Sequence, residues 1–195
     1  MKTIIFRAGI LILMSLVMMT CSQTSHDMQE TSLDSEEADT TFRGQLSSID
    51  DYLNYSYTGE QWISENDVRL KIDGLVESPL EMDYSRVLDH NSYSKVVSLN
   101  CIDGWSVKMR WEGILVEDLI TEAGMKESAY LVTFRSFDGY QISLMLQDVL
   151  ENHMMLAYKV NGSRLPLELG FPFQLVAEGK PGFNWVKGVA EIELQ

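Results

Sequence analysis

Cysteine and histidine are both scarce here: the chain has two Cys and three His, and none of them shows the spacing of a zinc site. His26 lies in an acidic stretch. His90 and His153 follow predicted helices and read as surface residues or as partners of a helix C-terminus. Basic residues are outnumbered, 15 against 29 acidic ones, and the resulting net charge of −14 argues against nucleic acid or an anionic membrane surface as partner. There is no Gly-x-Ser-x-Gly elbow, no Walker loop and no dinucleotide fingerprint, which removes the commonest hydrolase, NTPase and dehydrogenase designs. The many carboxylates form no evident catalytic pair and read as a solvated face. No internal repeat is present. The apolar run Ala8 to Met19 is too short to span a bilayer as a permanent helix.

What is present begins with a targeting segment. Lys2 and Arg7 form a basic region, the apolar run follows, and Thr20-Cys21 closes it. This order resembles a bacterial lipoprotein signal over residues 1–21, in which Cys21 is lipidated and becomes the mature N-terminus, with plain cleavage as the alternative. The expectation is a lipid-anchored protein of the bacterial cell envelope, on its extracytoplasmic side. Residues 22–60 are rich in Ser, Thr, Asp, Glu and Gln and predict an acidic disordered tether, with Ile49 to Tyr57 as a short helix or an ordered strap. The folded domain is expected over residues 61–195.

Within that domain, alternation predicts strands and 3.6-residue spacing predicts helices. Val68 to Asp73 is an alternating strand closed by Gly74, and Met82 to His90 a short helix. Val96 to Leu99 is an apolar, β-branched strand ending at Cys101. Asp103-Gly104 turns the chain, and Trp105 to Trp111 alternates as a second strand. Leu115 to Ala123 has helical spacing and stops at Gly124. Tyr130 to Phe134 and Tyr140 to Leu144 flank the Asp138-Gly139 turn. A helix over Leu146 to Asn152 and a strand over Met154 to Val160 follow, the latter ending in Asn161-Gly162. Phe173 to Ala177 and Trp185 to Leu194 read as the last strands. Short strands interleaved with single short helices make this α+β with a mixed β-sheet core.

Two features carry chemistry. Cys21, if lipidated, cannot form a disulfide, so Cys101 stays a free thiol in an exported protein. Either it is buried and inert, the usual place for a free Cys, or it is engaged, and a thiol at a strand end beside a Gly turn and two Trp suits a soft metal. The second feature is Glu178 to Lys187, a Gly-bearing loop whose Lys180 and Lys187 stand out in so acidic a chain. It reads either as an anion-directed loop or as a hairpin with solvent-facing lysines.

Four blocks in collinear order then resemble the molybdopterin-binding domain of the sulfite oxidase and periplasmic methionine-sulfoxide-reductase superfamily. They are Leu70 to Pro79; Cys101 to Ser106 with Trp111-Glu112-Gly113; Asp138-Gly139-Tyr140; and Leu156 to Gly162, Leu165-Pro166, Gly170 to Val176 and Gly182 to Lys187. The resemblance implies a sulfite-oxidase-type fold and a molybdopterin cofactor whose molybdenum is ligated by Cys101, with Tyr140 near the metal. It implies pterin or phosphate contacts at Asn161, Gln174, Asn184 and Lys187 and through the backbone of Gly182 and Trp185. The implied activity is oxygen-atom transfer on a small S-oxide or oxyanion, with a haem-containing protein as electron partner. The alternative is a cofactor-free lipoprotein that keeps the fold as a binding or interaction module.

Overall fold

Leu70 and Ile72 point into the core while Lys71 between them faces water, and this alternation builds β1, Leu70–Gly74. Full burial of one such aliphatic side chain contributes roughly 1.5–3 kcal/mol, so the register of the strand is strongly fixed. The computed structural model describes residues 43–55 and 63–195, all within one compact unit, Leu33–Gln195. The signal segment, most of the tether and Tyr57 lie outside the described residues. No helix among the described residues is long and apolar enough to cross a membrane.

Two sheets form the domain. In the first, β1 lies between β2 (Leu80–Met82) and β10 (Val189–Leu194), followed by β5 (Leu131–Ser136) and β6 (Gln141–Met145). The β1–β10 pair is parallel and the others antiparallel, so the sheet is mixed as expected. The second sheet runs β3 (Tyr93–Asn100), β4 (Ser106–Leu115), β7 (Met155–Val160) and β8 (Ser163–Arg164), and β9 (Gln174–Val176) also pairs with β7. Val107, Met109 and Trp111 of β4 alternate inward, as the sequence pattern requires. A bulge at Glu112/Gly113 then shifts the register against β7. Gly113 is needed there because a Cβ would stand 2.1 Å from the Leu156 carbonyl oxygen. The Asn161-Gly162 pair turns β7 into β8 with φ of 49° and 80°, the positive values a two-residue hairpin demands.

Among the described residues, four short helices complete the fold: α1 (Ile49–Tyr55), α2 (Tyr84–Leu88), α3 (Val116–Glu122) and α4 (Leu146–Glu151). The helix expected from Met82 is shorter, because Met82 pairs with Leu70 in β2 and the Asp83 carboxylate caps α2 by accepting from the Arg86 amide at 2.8 Å. The strand expected from Trp185 starts only at Val189. Trp185 and Val186 are buried apolar residues in a loop, and Gly188, with φ of 61°, packs so tightly on Phe137 that a Cβ would meet its ring at 2.2 Å. Apolar content there signalled burial rather than strand. The Glu178 to Lys187 stretch contains a 3₁₀ turn at Gly182–Asn184, and across its base the Leu175 amide donates to the Val186 carbonyl at 2.8 Å.

Candidate functional site

The β3–β4 hairpin carries Cys101 at its tip. Asn100 pairs with Ser106, the Cys101 amide donates to the Trp105 carbonyl at 3.0 Å, and the Gly104 amide donates to the Cys101 carbonyl at 3.1 Å. Leu99 and Val107 are buried beneath, so the turn rests on the core and holds the thiol half-buried. Cys101 is thus half-buried rather than fully buried. Its Sγ lies 3.6 Å from Asp103 Oδ2 and donates toward that carboxylate.

The 182–187 loop lies against this tip. A Cβ on Gly182 would stand 3.9 Å from Cys101 Cα and 3.6 Å from Leu99 Cδ2, ordinary contact distances that place the 3₁₀ turn directly over the hairpin. Tyr140 arrives from the other sheet. Its backbone is set by the Asp138 carboxylate, which accepts from the Tyr140 amide at 2.8 Å, and its Oη donates to the Phe183 carbonyl at 2.6 Å. Ile102, Tyr140 and Phe183 are the exposed apolar residues around this mouth.

Behind the loop, Trp185 is buried edge-on to Trp111, ring centres 5.7 Å apart. Lys187 donates to the Glu168 carbonyl at 2.8 Å. Burial pushes its amine down to about 8, with the Glu168 carboxylate pulling weakly the other way. Gln174 is fully buried at the start of β9, and its Nε2 donates to the Leu175 carbonyl. It meets Lys187 at Gly170, where a Cβ would stand 2.9 Å from both Gln174 Oε1 and Lys187 Cα. Among the described residues, Gln174 Oε1 and the buried Trp111 indole N–H have no hydrogen-bond partner.

The structure thus gathers Cys101, Tyr140, Gly182, Trp185, Gln174 and Lys187 about one loop and one hairpin tip. Asn184 belongs to the same turn, its amide donating to the Pro181 carbonyl at 2.9 Å. Asn161 is committed elsewhere: Oδ1 accepts from the Arg110 amide and Nδ2 donates to the Ser47 carbonyl, each at 2.9 Å. Lys180 also leaves the group, because it ion-pairs with Asp148 of α4 at 2.6 Å. Of the two lysines read as anion-directed, only Lys187 faces the site. His90 caps α2 and bonds Glu122 at 2.7 Å, and no group of three or more His, Cys, Asp or Glu among the described residues could hold a metal.

Two contributors escape the motif reading: Ser47 and Tyr52. Tyr52 is buried, with its ring centre 6.1 Å from Trp111 and 6.3 Å from Trp105, and Lys187 Nζ lies 5.8 Å over its face. Burial, with a smaller contribution from the neighbouring Cys101, pushes the Tyr52 phenol far up. The signal was present in Ile49, Tyr52 and Leu53, apolar at i, i+3 and i+4. The donor set (a half-buried thiol, a desolvated amine and an unused indole N–H) fits an anionic group that carries a soft metal.

Comparison with known proteins gives the same direction. The model of the oxidoreductase molybdopterin binding domain family matches residues 58–195. The protein named uncharacterized oxidoreductase YuiH of Bacillus subtilis (strain 168) is 33% identical over 106 residues, 54% of this chain and 54% of that protein. The protein-methionine-sulfoxide reductase catalytic subunit MsrP of Gluconobacter oxydans (strain 621H) is 27% identical over 143 residues, covering 64% of this chain and 46% of its own length. Among solved structures, the sulfane dehydrogenase SoxCD from Paracoccus pantotrophus superposes with a TM-score of 0.66 at 26% identity, covering 70% of this chain and 40% of that one. The chain spans about half the length of the curated relatives it matches.

Proposed function

This chain belongs to the oxidoreductase molybdopterin binding domain family, and on that premise we propose that it is an exported, lipid-anchored oxidoreductase that transfers an oxygen atom to or from a small S-oxide or oxyanion, with Cys101 ligating molybdenum. The observation that carries the reading is the convergence of a half-buried free thiol with a loop that brings in the desolvated Lys187. The name of the relative from Gluconobacter oxydans supports an S-oxide as the substrate class. The extracytoplasmic location and the haem-containing electron partner rest on the N-terminal segment and the resemblance.

When bound, the molybdenum cofactor supplies a metal able to exchange an oxygen atom with substrate and to accept or release electrons. The chain's own residues do the rest. Cys101 offers a soft donor that must lose its proton to ligate, and Asp103, 3.6 Å from Sγ, is placed to take that proton. Lys187 holds a positive charge for the anionic cofactor, and charge pairing there offsets the desolvation that now depresses its basicity. Trp111 and Trp185 keep water out of the floor, which strengthens each of these electrostatic interactions. Tyr140 presents a phenol at the rim, where its hydroxyl can turn from the Phe183 carbonyl to a substrate oxygen.

The test is turnover. Full chain from its native envelope should reduce a small sulfoxide with a reduced dye as electron donor, and Cys101→Ala should lose that activity while its far-UV spectrum stays unchanged. Full activity in Cys101→Ala sinks the proposal. A cofactor-free interaction module is the second reading, favoured by the packing of Tyr52 beneath Lys187, a residue expected to contact the pterin.

A further inference from the structure

The segment before the domain does not hang free of it. Ser48 and Asp51 cap α1 reciprocally, each accepting the other's amide at 3.0 Å. Ser47 roots the helix on the edge of β4 that β7 leaves uncovered: its amide donates to the Lys108 carbonyl at 2.8 Å, and its Oγ accepts from the Lys108 amide at 3.0 Å. The Ser47 carbonyl accepts from Asn161 Nδ2 at 2.9 Å. One turn on, Tyr52 packs between Trp105 and Trp111 and beneath the Lys187 amine. Trp105 is bonded to the backbone of Cys101 itself. The segment therefore uses Asn161, Lys187 and the floor of the site, the same groups a bound pterin would need.

We propose that residues 47–55 are a strap that closes the approach to Cys101 and Lys187 in the cofactor-free chain, with the Tyr52 ring standing where the cofactor would enter, and that binding displaces it. This rests on the molybdopterin reading above. The hold is modest: Tyr52 is the one fully buried side chain described in α1, with Ile49 and Leu53 half-buried beside it. A locally anchored segment of this kind opens far more readily than the whole domain unfolds. In the closed state the strap shields the thiol and keeps the lysine from water.

The experiment uses the full chain carrying Cys21→Ser, so that Cys101 is the sole thiol, and follows its reaction with dithiobis(nitrobenzoate). Tyr52→Ala should react about tenfold faster or more than the parent, because the ring no longer holds the strap down, while Tyr52→Phe should stay within about twofold. Ser47→Pro removes the amide that anchors the strap and leaves the Tyr52 ring intact, so it should accelerate the reaction even if Tyr52→Ala folds poorly. Equal rates in the parent, Tyr52→Ala and Ser47→Pro overturn the strap. The same proteins are then given molybdopterin released from a donor enzyme, and retained pterin is read by fluorescence after oxidation. Faster uptake by the two opened variants supports displacement. Uptake at equal rates by all, with equal thiol rates, removes the strap and leaves the molybdopterin reading standing. Faster thiol reaction with no pterin retained by any protein overturns displacement by the cofactor and the molybdopterin reading with it.

Discussion

Replacing Lys187 by Met should make the cofactor-free protein more stable at neutral pH, although Lys187 is the cation proposed to meet the anionic cofactor. In the unfolded chain the amine keeps its proton up to about its ordinary 10.5, and in the folded chain only up to about 8. Between those values unfolding takes up a proton, so the lysine's contribution to stability rises as pH increases from 8 to 10.5. Below pH 8 both states are protonated and the burial cost is fully felt. A shift of that size corresponds to about 3 kcal/mol, and the Glu168 carbonyl bond with partial wetting trims the usable gain to roughly 1–3 kcal/mol. The assay is urea denaturation of the parent and Lys187→Met followed by far-UV circular dichroism at steps from neutral to strongly alkaline pH. The variant should be the more stable at pH 7, and its advantage should shrink steadily above pH 8. A variant less stable than the parent at neutral pH, or an advantage that ignores pH, would refute the argument that this amine is held desolvated for an anion.

Gly113→Ala should cost more than about 3 kcal/mol and lower expression, because its Cβ meets the Leu156 carbonyl oxygen at 2.1 Å and the bulge cannot yield; thermal melting reads it. Asn161→Gly should cost about 1–2 kcal/mol for the hydrogen bonds to Arg110 and Ser47, and Asn161→Ala roughly 1 kcal/mol more, since a φ of 49° suits Gly and strains Ala. Equal stability of the two variants would show that the turn is not strained. Lys180→Ala should leave pterin retention unchanged while Lys187→Met abolishes it, because Lys180 is spent on Asp148; the same oxidised-pterin fluorescence decides between them.

Where side-chain period and burial coincide, the sequence was a sufficient guide. The inward alternation of Val107, Met109 and Trp111, the Asn161-Gly162 hairpin and the apolar face of α3 were all readable, because each is local. So was the ordered piece inside the tether, as a helix or strap over Ile49 to Tyr57, matched by α1 at Ile49–Tyr55. What failed was whatever depends on a partner distant in sequence. Trp185 and Val186 look like strand residues until Phe137 and Gly188 define a loop. Lys180 and Lys187 look alike until Asp148 takes one of them. The bonds of the Asn161 side chain to Arg110 and Ser47 likewise join residues that no local pattern brings together. Tyr52 was legible in part: the spacing of Ile49, Tyr52 and Leu53 marks a face that packs on the domain, while its place against Trp105 and Trp111 beside Cys101 depends on distant partners.

The central claim is that Cys101 holds a molybdenum cofactor, and metal stoichiometry tests it most directly. Full chain purified from its native envelope, in cells that load other molybdenum enzymes, should contain near one molybdenum and one pterin per chain by elemental analysis and oxidised-pterin fluorescence. Cys101→Ala prepared alongside should contain no metal and melt at about the same temperature as the cofactor-free parent. Absence of both metal and pterin from the parent, or undiminished molybdenum in Cys101→Ala, would contradict the account.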